Sequence, residues 1–414
     1  MPKNSLLLIG AGDELYRGYA MESLAAACTV HVVDPRMPGW FAAHAASVLP
    51  VTGVDAIVAA VRAAGTPVDG VWTYDEFSVV TAAEVAERLG LPTSGAAVAR
   101  RCRDKHLMRE ALATAGVPSA QHARVTGLDE AREAAQRIGY PVVVKPVALA
   151  GSIGVTRADD DAGLAAAFVA ASGSGHPVYG TSGPTVLVEE HLDGPEVSVE
   201  CVVDADGVHA VAVTRKDLGP EPFFEEVGHV VAPGEPLPEQ DAVLAVTRAA
   251  HAALGVTVGA THTELRLTST GPRVVELALR TGGDLIPRLV RLATGVDLTL
   301  AAAAAALGQR TRLAAGPVPA LPGVGAAGIR FLQPDDDVTL AELPDLGLDP
   351  LPDGIVDIGW EVTPGQRLQL PPRGFLDRLG FALAVTDSTR TCAQTLDSLA
   401  ARVQVPAVTA AALA

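Results

Sequence analysis

The first hundred residues switch repeatedly between short apolar runs and helix-compatible stretches, and few folds accept that rhythm. Ser5-Leu6-Leu7-Leu8-Ile9 is closed by Gly10-Ala11-Gly12, and Val30-His31-Val32-Val33 is closed by Asp34-Pro35. Val68 to Tyr74 forms a third run, followed by a helical stretch from Thr81 to Leu89. A strand that is apolar without alternation is covered on both faces. Strands separated by helices pair in parallel through crossover connections. The pattern therefore predicts a parallel α/β unit over residues 1–100.

Further along, the punctuation changes. Residues 101–139 read as helical at both ends around Gly116-Val117-Pro118. A β-branched strand, Tyr140 to Pro146, leads into a loop containing Gly151 and Gly154, then an Ala-rich helix from Asp160 to Ala171 and a Gly/Ser/Pro connection from Gly173 to Pro184. Thr185 to Glu189 is another strand. Glu196–Val203 and Val208–Thr214 read as a hairpin around Asp204-Ala205-Asp206-Gly207. A helix from Gln240 to Leu254 precedes strands at 258–267 and 273–278, joined by a turn at Thr268-Ser269-Thr270-Gly271. Beyond about 310, Pro and Gly rise and strands shorten, up to a helix from Thr391 to Val403. That ending is read as a smaller α+β unit. With 414 residues, 49% of them hydrophobic, the chain can fill more than one core.

A net charge of −17 argues against a broad nucleic-acid surface and against docking on an acidic membrane, yet leaves room for a local phosphate pocket. Apolar runs such as Ala301–Ala306 are too short to span a bilayer, and the N-terminus carries no secretory pattern. Cys28, Cys102, Cys201 and Cys392 are far apart without metal or redox spacing, as expected for reduced thiols in a cytoplasmic protein. Gly10-Ala11-Gly12 followed by Asp34 invites a dinucleotide reading, but Leu15 stands where the fingerprint needs a third glycine. A tight strand-to-helix turn accounts for it.

Lysine usage is more informative. Of 31 basic side chains only Lys3, Lys105, Lys145 and Lys216 are lysine. A chain this biased toward arginine keeps lysine where a compact, flexible ammonium is needed. Lys145 ends a strand and faces Gly151-Ser152-Ile153-Gly154, a loop whose backbone amides and Ser152 hydroxyl suit phosphate oxygens. Lys105 follows Asp104 at a helix start and offers a second charge. In Val188-Glu189-Glu190-His191-Leu192 a strand runs into a linker able to present backbone groups to a base, with Glu196 placed for ribose hydroxyls. Glu264 and Glu276 sit inside apolar strands on either side of a turn. Acids there are costly unless paired or bound to metal, and two carboxylates with phosphate oxygens suit Mg²⁺.

The ordered set Lys105, Lys145, Gly151-Ser152-Ile153-Gly154, Glu189-x-x-Leu192-x-Gly194-Pro195-Glu196, Glu264 and Glu276-x-x-x-Arg280 resembles the ATP-grasp superfamily, with the L-amino-acid (dipeptide) ligases nearest in look and shared motifs in D-alanine–D-alanine ligase and biotin carboxylase. The resemblance implies an ATP-grasp fold, mixed α/β and α+β, with an N-terminal parallel α/β domain at 1–100. The ATP-grasp domain would follow at 101–310, its lid subdomain at about 115–190, and a smaller C-terminal α+β domain at 311–414. It implies that Lys105 and Lys145 hold the ATP phosphates under a lid carrying Ser152. Glu189, Glu190 and Leu192 would line adenine, Glu196 would bind ribose, and Glu264 and Glu276 would hold Mg²⁺, with Mn²⁺ as an alternative. One departure stands out: Ala278 occupies a position where most of the superfamily has Asn.

These roles predict that ATP activates a carboxylic acid as an acyl phosphate, which an amine then attacks, with release of ADP and phosphate. Lys145 serves the first step, and Arg280 is the candidate donor to the tetrahedral oxyanion. Glu226, His229, His262 and Gly283 are candidate substrate contacts, with Lys216, Asp217 and Glu225 nearby in sequence and Asp75 and Glu76 in the first domain. The expected partners are a small-molecule acid and amine, with amino acids expected in both roles, in a cytoplasmic homodimer. Competing readings are a biotin-carboxylase-like or formyl-type enzyme and a nucleotide-binding pseudoenzyme subunit.

Overall fold

The structure, a computed structural model, describes residues 3–408 apart from 38, 66, 177–179, 182, 220, 345 and 347–349. The chain forms two compact units built from non-contiguous stretches. The first comprises 1–119, 197–213 and 237–319, and the second 120–196, 214–236 and 320–414.

In the first unit, four parallel strands lie in the order Ser47–Leu49, Thr29–Val33, Ser5–Ile9, Gly70–Trp72. The run Leu6–Ile9 is buried on both faces, as its lack of alternation requires. Leu7 and Ile9 pack with Ile57, Val58, Val61 and Val85. Leu6 and Leu8 pack with Met21, Leu24, Ala302, Ala303 and Ala306. The sequence missed the edge strand Ser47–Leu49, whose three half-buried residues are too short to give a period. The third strand stops at Trp72 rather than Tyr74, because Tyr74 turns back and donates its hydroxyl to Ala11 O at 2.6 Å. In the Gly10–Gly12 turn the Ala11 amide donates to Asp34 Oδ2 at 2.9 Å. Both glycines take positive φ, 77° and 69°, which a side chain would resist.

A second core in the same unit forms where helices Ala96–Arg103, Lys105–Thr114 and Gln240–Leu254 meet the antiparallel hairpin Gly259–Thr268 and Gly271–Ala278. Met108, Leu112, Val199, Cys201, Val243, Leu254, Leu265, Val274 and Leu277 fill it. The strand Glu196–Asp204 lies beside Gly259–Thr268 in the sheet.

In the second unit an antiparallel sheet runs His122–Val125, Val186–Glu190, Val142–Pro146, Thr156–Ala158. Helices Leu128–Ile138 and Asp161–Gly173 cover it through Ala131, Ala135, Leu164 and Ala167. Part of the connection read at 173–184 lies outside the described residues; of the rest, Gly175–His176 and Gly180–Thr181 pair as short strands. The unit also holds strands Glu226–Val231, Ala326–Leu332, Gly380–Thr386 and Ile355–Trp360, antiparallel in that order, with helix Thr389–Ala400 packed on them. Among the described residues no single helix is long and apolar enough to cross a membrane. All four cysteines are buried and reduced.

Candidate functional site

The first unit gathers one group of charged side chains on its hairpin. Glu264 and Glu276 are direct cross-strand partners at a register shift in the ladder. They share a face, since partners across an antiparallel pair point the same way. Like charges so placed repel unless a cation lies close. Two cations do. Lys105 Nζ sits 2.9 Å from Glu276 Oε2, and His262 Nε2 sits 3.2 Å from Glu264 Oε1. Lys105 owes its position to Asp104, whose carboxylate caps the helix by accepting from the amides of His106 and Leu107. His262 also meets Glu200 through Nδ1, at 2.9 and 3.1 Å. Burial, the largest single influence, pushes the imidazole toward neutrality, but Glu200 and Glu264 together more than offset it and raise its pKa to about 10.

Arg280 follows on the same hairpin. Its Nε donates to Glu76 Oε2 at 2.6 Å and its Nη1 to Thr281 O at 2.8 Å. Arg103 lies 3.6 Å from the other oxygen of Glu76. Burial opposes the charge of Arg280, but Glu76, Glu276 and Glu264 hold its pKa above the ordinary value. Gly283 is half-buried just beyond. Asp75 caps the turn after its strand, accepting from Ser78 Oγ at 2.6 Å.

The second unit gathers the other group. Lys145 ends the strand Val142–Pro146 and meets Glu189, on the neighbouring strand, at 2.6 Å. Glu190 Oε2 accepts from the Gln121 amide at 3.1 Å, His191 lies against Phe224, and Leu192 is buried. Lys216 is fully buried between Glu196, at 3.1 Å, and Glu226. Glu226 Oε2 lies 3.3 Å from His229 Nε2. Glu225 instead accepts from the amide of Leu376 and from Gln333. The loop at 151–154 is wound by positive φ at Gly151, Ser152 and Gly154, and Leu376 packs where a Gly151 side chain would stand. Ser152 reaches φ 57° without being glycine, a conformation that clusters at ligand clamps.

The donor chemistry of the first group fits Mg²⁺. Two hard carboxylates lie opposite each other on one sheet face, half-exposed rather than sealed. Cations stand beside both of them. Sequence reasoning overlooked Glu200 and its partner Ser198. The signal was available: apart from Ser198, Glu200 is the one polar residue in the run Val197–Val203, an acid among apolar strand residues as Glu264 and Glu276 are.

Comparison with known proteins gives the family. The ATP-grasp domain family matches residues 138–288, and the ATP-grasp N-terminal domain family matches 30–93. An uncharacterized protein of Sinorhizobium fredii, y4rH, is 30% identical over 370 residues, covering 88% of this chain and 74% of its own. Alanine–anticapsin ligase of Bacillus subtilis is 30% identical over 250 residues, 56% of this chain, which spans about half (52%) of that relative's length. The L-amino acid ligase from Bacillus licheniformis superposes with a TM-score of 0.80 over 99% of this chain and 100% of its own, at 21% identity. The fold is ATP-grasp. The chain belongs to the ATP-grasp superfamily.

Proposed function

We propose that the chain is an ADP-forming amino-acid ligase that joins a carboxylate to an amine through an acyl phosphate. The observation that carries this reading is the cross-strand pair Glu264 and Glu276 with Lys105 on it. It is supported by Lys145 at a strand end in the second unit and by the similarity to alanine–anticapsin ligase. The domains at 1–100, 101–310 and 311–414 are proposed as the functional divisions.

In this reading a substrate carboxylate oxygen attacks the γ-phosphorus of ATP and ADP leaves. The amine nitrogen then attacks the acyl carbon, phosphate leaves with the former carboxylate oxygen, and the nitrogen gives up a proton. The work of the chain is positioning and charge placement. Lys105 and Lys145 exchange their carboxylate partners for phosphate oxygens. Glu189, Glu190 and Leu192 seat the base, and Glu196 takes the ribose. Glu264 and Glu276 hold Mg²⁺, which when bound neutralises and orients phosphoryl oxygens. Arg280, steadied by Glu76, is the donor for the oxyanion. Glu226 and His229 are the candidates to receive the substrate's amino group and carboxylate.

Purified chain with Mg-ATP and paired amino acids tests the proposal. ADP and phosphate release must require both an acid and an amine, and mass spectrometry must find the condensed product. A carboxylate labelled with ¹⁸O must pass one label to phosphate. Release of AMP, turnover that needs only bicarbonate, or binding without turnover would each defeat it.

A further inference from the structure

Ala278 leaves one corner of the Glu264/Glu276 face without a polar side chain. Its cross-strand partner is His262, which shares that face two residues before Glu264. On the adjoining strand Glu200 engages the Nδ1 of His262 at 2.9 and 3.1 Å, and Ser198 Oγ donates to Glu200 at 2.7 Å. The ring's other nitrogen faces Glu264 Oε1 at 3.2 Å.

We propose that Glu200 is a positioning residue: acting through His262, it fixes the Glu264 carboxylate in the orientation that receives Mg²⁺. Glu200 is 1% exposed and so depends on protein donors for its charge. A ring held at both nitrogens, Nδ1 against Glu200 and Nε2 against Glu264, has little freedom in its plane. That ring engages one oxygen of Glu264 and so sets the direction of the carboxylate, as partners behind metal ligands do elsewhere. Gly282 belongs to the same device, because a Cβ there would come within 3.0 Å of Glu200 Oε2 and 3.2 Å of His262 Nδ1. The inference rests on the reading that Glu264 and Glu276 hold the ion.

The test is a titration of Mn²⁺ into the protein with ADP, followed by electron paramagnetic resonance. Glu200→Ala is expected to weaken Mn²⁺ binding about 10–100-fold, with ADP binding in the absence of metal changed less than about two-fold. Glu200→Gln, which still accepts from Nδ1, is expected to lose only several-fold. If the alanine variant does not fold, the glutamine variant carries the test alone, and wild-type affinity in it overturns the inference. Unchanged Mn²⁺ affinity in Glu200→Ala overturns it too. So does a directly coordinated nitrogen in the wild-type Mn²⁺ spectrum, which would make His262 a ligand. The parent reading has its own control: if Glu276→Gln binds Mn²⁺ like the wild type, both fall together.

Discussion

Replacing Lys145 with alanine should destabilise the protein as well as disable it. Lys145 and Glu189 lie 2.6 Å apart with 6% and 5% of their side chains exposed. Deleting the ammonium takes the cation at 2.6 Å away from a carboxylate that water barely reaches. Removing one partner of a buried pair costs about 3–5 kcal/mol. The second unit holds about 195 residues. At that size each kcal/mol moves the melting temperature by roughly 2–4 °C, so the variant should melt ~6–20 °C lower. The double variant Lys145→Met/Glu189→Gln removes both charges and keeps much of the shape. It should recover most of the lost stability, since it leaves no buried charge uncompensated. It should not recover turnover, because no ammonium remains for the phosphates. Scanning calorimetry and ADP release on the three proteins decide the matter. A double variant no more stable than Lys145→Ala would show that the carboxylate left behind is not the cause. Near-normal ADP release from Lys145→Ala would remove the phosphate role altogether.

Two further predictions use the first unit. His251 is buried, with Nδ1 bonded to Thr247 O at 2.8 Å and Nε2 to Thr261 Oγ1 at 2.7 Å, and burial pushes its pKa down to about 4. The unfolded chain takes up this proton near 6.5, so the contribution of the neutral ring is full above that pH and is lost toward pH 4, on the order of 3 kcal/mol. His251→Gln should flatten the acid limb of the urea midpoint between those values; an unchanged slope would assign the acid sensitivity elsewhere. Gly282→Ala should raise the Mg²⁺ concentration for half-maximal turnover about ten-fold, because its Cβ would crowd Glu200 and His262. A wild-type Mg²⁺ requirement would mean that the row of side chains tolerates displacement.

The legible features of the sequence were the local ones. Uninterrupted apolar runs announced the two-faced parallel strands, and the turn at Thr268–Gly271 announced a hairpin that sets Glu264 against Glu276. Arg280 drew notice for its spacing from Glu276. Its partner Glu76 is 204 residues away, and no period or motif links the two. Glu200 and His262, 62 residues apart, meet only because their strands are neighbours in the sheet. Strand order is decided by the packing of whole helices and sheets, so a pairing across non-consecutive strands leaves no trace in a window of residues. Glu225 illustrates the converse. Its sequence context suggested a substrate contact, while the fold turns it toward the Leu376 amide.

A chain of net charge −17 that binds a polyanion must keep its cations from being overwhelmed by its own acids. The arrangement here does so by giving each candidate cation a carboxylate at short range: Glu276 for Lys105, Glu189 for Lys145, Glu196 and Glu226 for Lys216, and Glu76 for Arg280. In the proposed function, binding ATP is an exchange of anionic partners rather than a long-range attraction, and those pairs are mostly buried from salt. From about 0.05 to about 0.3 M KCl the screening length shrinks from roughly 14 to roughly 6 Å. Exposed electrostatics would lose affinity steeply over that range, whereas exchange inside buried pairs should change the Kd for Mg-ATP by less than about three-fold. Isothermal titration at several salt concentrations measures this directly. A steep power-law loss of affinity would mean that the phosphates are held by solvent-exposed charge, and the buried lysines would have to surrender their assigned role.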